Sequence, residues 1–249
     1  KNTMRLIKSK KIKIAIVGCG RISKNHFDSI DSNSEFIQLI SVCDIDEIVL
    51  AYNEEKYKVN GYVYLEEMLK NEKLDLVSIC TPSGLHSEQT KLCANYGVNV
   101  ITEKPMATSW KDGISMVKAC EKANVGLFVV KQNRHNETLK LLKRAVTEKR
   151  FGKINMVHIN VFWTRPQDYY DQAEWRGTWE LDGGAFMNQA SHYVDLLDWL
   201  IGPIKKVNAI GRVKNISQFP SNITRDCLSV PSTSSPKINP IITGTSEKP

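Results

Sequence analysis

Between residues 11 and 130 the chain repeats one pattern: a short apolar, often β-branched run, then an amphipathic stretch. Lys11–Val17 (KIKIAIV) reads as a strand, Arg21–Ile30 as a helix, Phe36–Cys43 as a strand and Ile45–Tyr57 as a helix. A short strand at Tyr62–Tyr64 precedes a helix at Leu65–Lys70. Leu74–Cys80, Val98–Ile101 and Gly126–Val130 read as strands, separated by helices at Leu85–Tyr96 and Ser109–Ala123. The strand segments are short and largely apolar, and the first reads as buried. Helices between such strands force a parallel sheet covered on both sides, which is an α/β fold.

The rhythm changes near residue 150. Glu137–Arg150 is a charged amphipathic helix, and Lys153–Trp163 (KINMVHINVFW) alternates as an antiparallel strand with one wet face does. A loop through Pro166 leads to a long helix at about 184–201, and Ile204–Val213 reads as a further strand. From about Ser217 the chain is rich in Ser, Thr, Pro and Asn, the composition of an irregular or disordered tail. Two strands do not make a sheet able to cover a helix. The expected division is therefore 1–133 for the parallel α/β domain, 134–216 for an α+β domain that is cut short, and 217–249 for the tail.

The bulk numbers exclude several classes. The 249 residues carry a net charge of +7, which a lysine-rich solvated surface accounts for and which also favours an anionic small molecule. Basic and aromatic residues do not cluster as nucleic-acid binding requires. No apolar run suits a membrane span or a secretory signal. The six Cys show no metal-ligand spacing, so no metal is expected, and four of them lie in or beside apolar runs as reduced buried thiols of a cytoplasmic protein do.

Four motifs carry chemistry. In VGCGRIS, Gly18 and Gly20 stand where the first strand turns into the first helix, with Arg21 and Ile22 next. Glycine there lets a pyrophosphate approach backbone N–H groups at a helix N-terminus. Ser23 replaces the third glycine of the usual fingerprint. Asp44 lies 24 residues beyond Gly20, where an acidic side chain binds ribose hydroxyls and repels a 2′-phosphate, so NAD is expected over NADP. CTPSGLH at 80–86 follows a strand, where Thr81, Pro82 and His86 are placed for a ligand crevice. The competing reading makes His86 a cap or surface residue. EKP at 103–105 puts Glu103 and Lys104 at the same end of the sheet; Lys104 is either a surface lysine or a group that stabilises a developing alkoxide.

The fourth is WRGTWELDGGAFMNQASHYVD at 175–195. Asn188, His192 and Asp195 fall at i, i+4 and i+7 and share a helix face. His192 suits a general base at neutral pH, against the alternative of a satisfied core histidine. Gln132, Asn133, Arg134, Arg165, Tyr169, Trp175, Arg176 and Gln189 are polar or aromatic residues suited to an anionic or multiply hydroxylated substrate.

Taken together, VGCGRIS, VCD at 42–44, CTPSGLH, EKP and GGAFMNQASHYVDLLDWLIG resemble the Gfo/Idh/MocA oxidoreductases from about residue 11 to 213. The resemblance implies a Rossmann domain joined to an open α/β domain whose sheet builds a homodimer or tetramer. It implies Lys104 as the catalytic or substrate-orienting lysine and His192 as the proton acceptor. The form NQASHYVDLL, with KQNRHN at 131–136 and the segment WTRPQDYYDQAEWRGTWE, is similar to the subgroup acting on UDP-N-acetylglucosaminuronic acid. Those enzymes oxidise the sugar C3 hydroxyl with NAD in bacterial surface polysaccharide (lipopolysaccharide) biosynthesis. Many members carry Asp where this chain has Asn188; a neutral amide there does not repel a polyanionic sugar. Two rivals stay open: oxidation of another sugar or an inositol, and a truncated, non-catalytic dinucleotide-binding protein. The residues after 213 depart from the family, and a frameshifted or truncated C-terminus is the expected reason.

Overall fold

The computed structural model describes residues 11–163 and 165–208. Six strands form one parallel sheet: β1 Ile12–Val17, β2 Ile37–Cys43, β3 Asn60–Tyr62, β4 Leu76–Ile79, β5 Asn99–Thr102 and β6 Leu127–Val129. Their order is β3-β2-β1-β4-β5-β6. Between them run α1 Ser23–Ser32, α2 Glu47–Tyr57, α3 Leu65–Asn71, α4 His86–Asn95 and α5 Trp110–Ala123. Every strand and helix expected up to residue 130 is present, with ends moved by a few residues.

Strand period explains the two cores. On β1, Ile14 and Ile16 point to one face and pack with Phe27 and Ile30 of α1 and Leu50 of α2. Ala15 and Val17 point to the other face and meet Leu65 and Met68 of α3 and Cys93 of α4. Each face therefore has its own helical cover, and β1 is buried on both sides. Capping fixes the helix starts. The Asp46 side chain accepts from the N–H of Ile48 and Val49 to start α2, and Ser109 accepts from Asp112 to start α5.

The strand order reverses direction between β1 and β4, so the connections that leave their carboxyl ends diverge and open a crevice there. Gly18 sits at this point. Its φ is +85°, and a Cβ on it would stand 2.8 Å from Thr81 N and 2.9 Å from the Cys80 carbonyl carbon. The loops after β1 and β4 thus touch through a residue that has no room for a side chain.

The chain divides into two compact units, one of described residues 11–131 and 165–191, the other of 132–163 and 192–208. In the first, the sheet is followed by α7 Gln167–Asp171 and a π-helical turn, Phe186–Ala190. The second contains α6 Glu137–Thr147 and most of α8, Ser191–Ile201. The long helix expected at 184–201 is thus a π turn followed by an α-helix. The expected strand at 153–163 is not formed: those residues are exposed and none is assigned to a strand. A strand needs a ladder partner for its N–H and C=O groups, and the described residues supply none. Residues 204–208 make a single bridge at Lys205, and the rest of the expected strand to 213, with the tail from Ser217, lies outside the described residues. Among the described residues no helix is long and apolar enough to cross a membrane, and no group of His, Cys, Asp and Glu is placed to hold a metal ion.

Gly18→Ala tests the crevice. It should cost about 1–3 kcal/mol of stability through backbone strain alone. The loss should read as a lower Tm in thermal denaturation, with the packing around Thr81 perturbed.

Candidate active site

The loop after β1 is drawn onto the end of β2. Asp44 Oδ2 accepts from Cys19 N at 2.6 Å and Oδ1 accepts from Asp46 N at 2.9 Å. The carboxylate expected to meet ribose hydroxyls therefore also organises the glycine loop, and its remaining lone pairs are available. Ser23, which stands for the third glycine, is buried and donates its hydroxyl to Gly20 O at 2.6 Å. No side chain caps the N-terminus of α1, whose Ncap is Ile22, and a Cβ on Gly20 would meet nothing within 4 Å. Uncapped N–H groups, an open approach at Gly20 and a terminal carboxylate on β2 fit a dinucleotide with its pyrophosphate at α1. Arg21 is exposed beside it. Burial pushes the Cys19 and Cys43 thiols up to about 12, with Asp44 adding to the effect, so both remain inert thiols.

At the end of β4 the structure corrects the reading of His86. The ring is wholly buried, with Nδ1 3.0 Å from Pro105 O and Nε2 2.9 Å from Thr81 O. Both nitrogens are directed at carbonyls of the chain, so His86 ties the CTPSGLH loop to the EKP loop and faces no ligand. Burial pulls its pKa below the usual histidine value. Thr81 donates its hydroxyl to Gln89 at 2.6 Å, which leaves its oxygen as an acceptor, with Pro82 and the loop backbone, to line the crevice.

Glu103 is likewise turned inward. Oε1 lies 2.9 Å from His26 Nε2, and Oε2 accepts from Lys104 N at 3.1 Å. His26 Nδ1 in turn lies 2.9 Å from Ser78 Oγ. This Ser–His–Glu chain looks like a nucleophilic triad, but Ser78 is wholly buried on β4 and no substrate reaches it. Its effect is to pin the EKP loop to α1. Burial drives the Glu103 carboxyl upward, but the hydrogen bonds and charges of His26 and Lys104 outweigh it and hold the group below the usual carboxylate range. Glu103 therefore positions Lys104 and does not itself present its carboxylate to a cofactor.

Lys104, preceding a cis Pro105, is half-buried and its Nζ donates to Asn188 O at 2.8 Å. Burial lowers its pKa, opposed by Glu103 and Asp182 and assisted by Lys131 and Arg165. Asn188 donates its amide to Asp182. Nearby, the guanidiniums of Arg165 and Arg176 lie 4.7 and 4.5 Å from the centre of the Tyr169 ring, and Arg176 lies 5.7 Å from that of Trp175. Arg176 Nη1 donates to Tyr169 O and Gln172 Oε1, both at 2.7 Å, while its buried Nε makes no hydrogen bond among the described residues. Burial raises the pKa of the Tyr170 hydroxyl, and Gln189 opposes that shift.

The first unit thus gathers Lys104, Arg165, Tyr169, Trp175, Arg176, Asn188 and Gln189. The second holds Asn133, Arg134 and His192. His192 is buried in the first turn of α8. Arg134 is already committed: its Nε and Nη2 fork Asp195 at 2.9 and 2.7 Å. An Arg–carboxylate pair of this form satisfies both partners, so Arg134 and Asp195 brace this unit rather than wait for a ligand. The sequence reading missed His26, Ser78, Tyr170 and Asp182. His26 was findable, because it falls three residues after buried Ser23 and four before Ile30, on the helix face turned to the sheet.

Residues 12–131 match the model of an oxidoreductase family with an NAD-binding Rossmann fold, and residues 139–226 match the GFO/IDH/MocA C-terminal domain. The chain belongs to the Gfo/Idh/MocA oxidoreductase family. Among solved members of this family, it is 59% identical to the WlbA dehydrogenase of Chromobacterium violaceum and 54% identical to that of Bordetella pertussis, both determined with NADH and UDP-GlcNAcA. The TM-scores are 0.78 and 0.77, covering 80% and 78% of this chain. A curated relative, myo-inositol 2-dehydrogenase of Thermotoga maritima, is 28% identical over 81% of the chain. The chain spans 58% and 60% of the two WlbA chains and 59% of the inositol enzyme.

Glu103→Gln tests the inward role of Glu103. The variant should lose about 1–3 kcal/mol. The folded carboxyl titrates below its unfolded value, so the wild-type advantage is full above the ordinary glutamate pKa of about 4.3 and is lost as pH falls through the lowered folded value. Denaturant melts of both proteins from neutral to acid pH give that curve.

Proposed function

We propose that this chain is part of an NAD-dependent dehydrogenase that oxidises the C3 hydroxyl of a UDP-N-acetylglucosaminuronic acid-type sugar to the ketone. The observation that carries the reading is the pair of arginines around Tyr169 beside Lys104, in a chain 59% and 54% identical to two WlbA dehydrogenases determined with UDP-GlcNAcA. A sugar bearing a diphosphate and a carboxylate needs guanidinium forks, and Arg176 keeps a buried donor for one. An inositol or free aldose carries no charge that uses them.

When bound, NAD supplies the hydride acceptor. Gly18, Gly20 and the start of α1 hold the pyrophosphate, and Asp44 holds the adenosine ribose. Lys104 donates a hydrogen bond to the reacting oxygen and stabilises negative charge developing there. His192 takes the hydroxyl proton as general base. Arg165, Tyr169, Trp175 and Arg176 hold the anionic portions of the substrate, with Asn188, Gln189 and Asn133 as neutral partners. We also propose that the protein works in the cytoplasm, on the support of five buried free thiols among the described residues. Assembly through the sheet of the second domain is part of the same reading.

Absorbance at 340 nm should rise when NAD and UDP-N-acetylglucosaminuronic acid are both present. His192→Ala and Lys104→Ala should each lower kcat at least ~100-fold, the size of a lost acid–base or charge-stabilising group. Arg176→Ala should chiefly raise KM for the nucleotide sugar, by about tenfold or more, and leave NADH binding intact. A preference for myo-inositol over UDP-sugars in a substrate panel would reverse the reading.

A further inference from the structure

Asp182 belongs neither to the cofactor loop nor to the arginine cluster. It is 3% exposed, and a carboxylate that deep persists only with hydrogen bonds to its oxygens. It has them: Gly177 N donates to Oδ2 at 2.9 Å, and the Asn188 amide donates to Oδ1. The turn is built tight around it. Gly183, the next residue, has φ +75°, and a Cβ there would stand 2.7 Å from the Met187 side chain.

Asn188 joins two charges. Its side chain holds Asp182, and its backbone carbonyl accepts the Lys104 ammonium at 2.8 Å. Four charged groups act on Lys104: Glu103 and Asp182 favour the ammonium, while Lys131 and Arg165 oppose it together with burial. Glu103 is already engaged by His26 and by the Lys104 N–H. Asp182 is held by the turn at 177–183 and by the residue that receives Lys104 Nζ.

We propose that Asp182 is a positioning residue which, with Asn188 as go-between, fixes both the place and the charge of the Lys104 ammonium. The role of that ammonium in catalysis rests on the reading given under Proposed function, but the titration of Lys104 is measurable without turnover. Trace acylation of the full chain with acetic anhydride from neutral to alkaline pH, with the Lys104 peptide followed by mass spectrometry, gives the midpoint directly. Asp182→Asn should lower that midpoint by about one pH unit, the usual effect of removing a close opposite charge. The double variant Asp182→Asn with Asn188→Asp exchanges amide and carboxylate across one hydrogen bond at constant volume and should restore the wild-type midpoint. In turnover assays of Asp182→Asn the alkaline limb of kcat should move with the midpoint, while KM for the nucleotide sugar changes little. An unchanged Lys104 midpoint in a folded Asp182→Asn protein overturns the proposal. Should that variant not fold by near-UV circular dichroism, the double variant decides: a wild-type midpoint supports the proposal and a lowered one overturns it. If wild-type protein acylates as expected yet oxidises no UDP-sugar, the catalytic reading fails and the coupling of Asp182 to Lys104 stands.

Discussion

The contact between the loops after β1 and β4 is the constraint on which the rest of the first unit depends. Two parallel strands lie side by side, their chains leave in opposite directions, and Gly18 lets the two exits meet backbone to backbone. That approach leaves the N–H groups of α1 and the glycine loop at the crevice. From there the chain is tied down in sequence. Asp44 holds the glycine loop, His86 holds the loop after β4 to Pro105, and His26 holds Glu103. Lys104 is therefore placed through its neighbours Glu103 and Pro105, which His26 and His86 hold, and through Asn188, which receives its ammonium.

Much of this is legible in the order of the residues. The strand runs are largely apolar because both faces of a parallel sheet are covered, and their alternation with amphipathic stretches marks the elements through residue 130. The glycine loop and Asp44 are legible because their spacing follows from the βαβ unit. Side-chain direction is not. His86 and Glu103 lie in motifs at the ligand end of the sheet, yet both turn inward, since at those positions backbone carbonyls and His26 are nearer partners than solvent. Arg134 reads as available because its partner, Asp195, is 61 residues away. Asp182 is hidden for the opposite reason: an acidic residue before Gly-Gly reads as an exposed turn, and only the fold shows it buried.

The second unit marks where local pattern stops being sufficient. KINMVHINVFW alternates as a strand should, but alternation specifies a face, not a partner. Without a neighbouring ladder among the described residues its backbone groups stay unpaired by the sheet, and the segment is exposed throughout. Helices α6 and α8 form regardless, since their hydrogen bonds are internal to each segment.

The π turn at Phe186–Ala190 bears on how such a site can be altered. A turn closed by i→i+5 bonds accommodates one residue more than the α-helical turn it interrupts. Helical phase on either side is then set by chain length as well as by side-chain identity. Removing one residue there would let the segment close as an ordinary α-helical turn, because the π turn absorbs the extra residue locally. Exchanging this helix between family members is therefore a question of insertions and deletions before it is one of substitutions, and alignments that ignore the extra residue would pair the wrong faces.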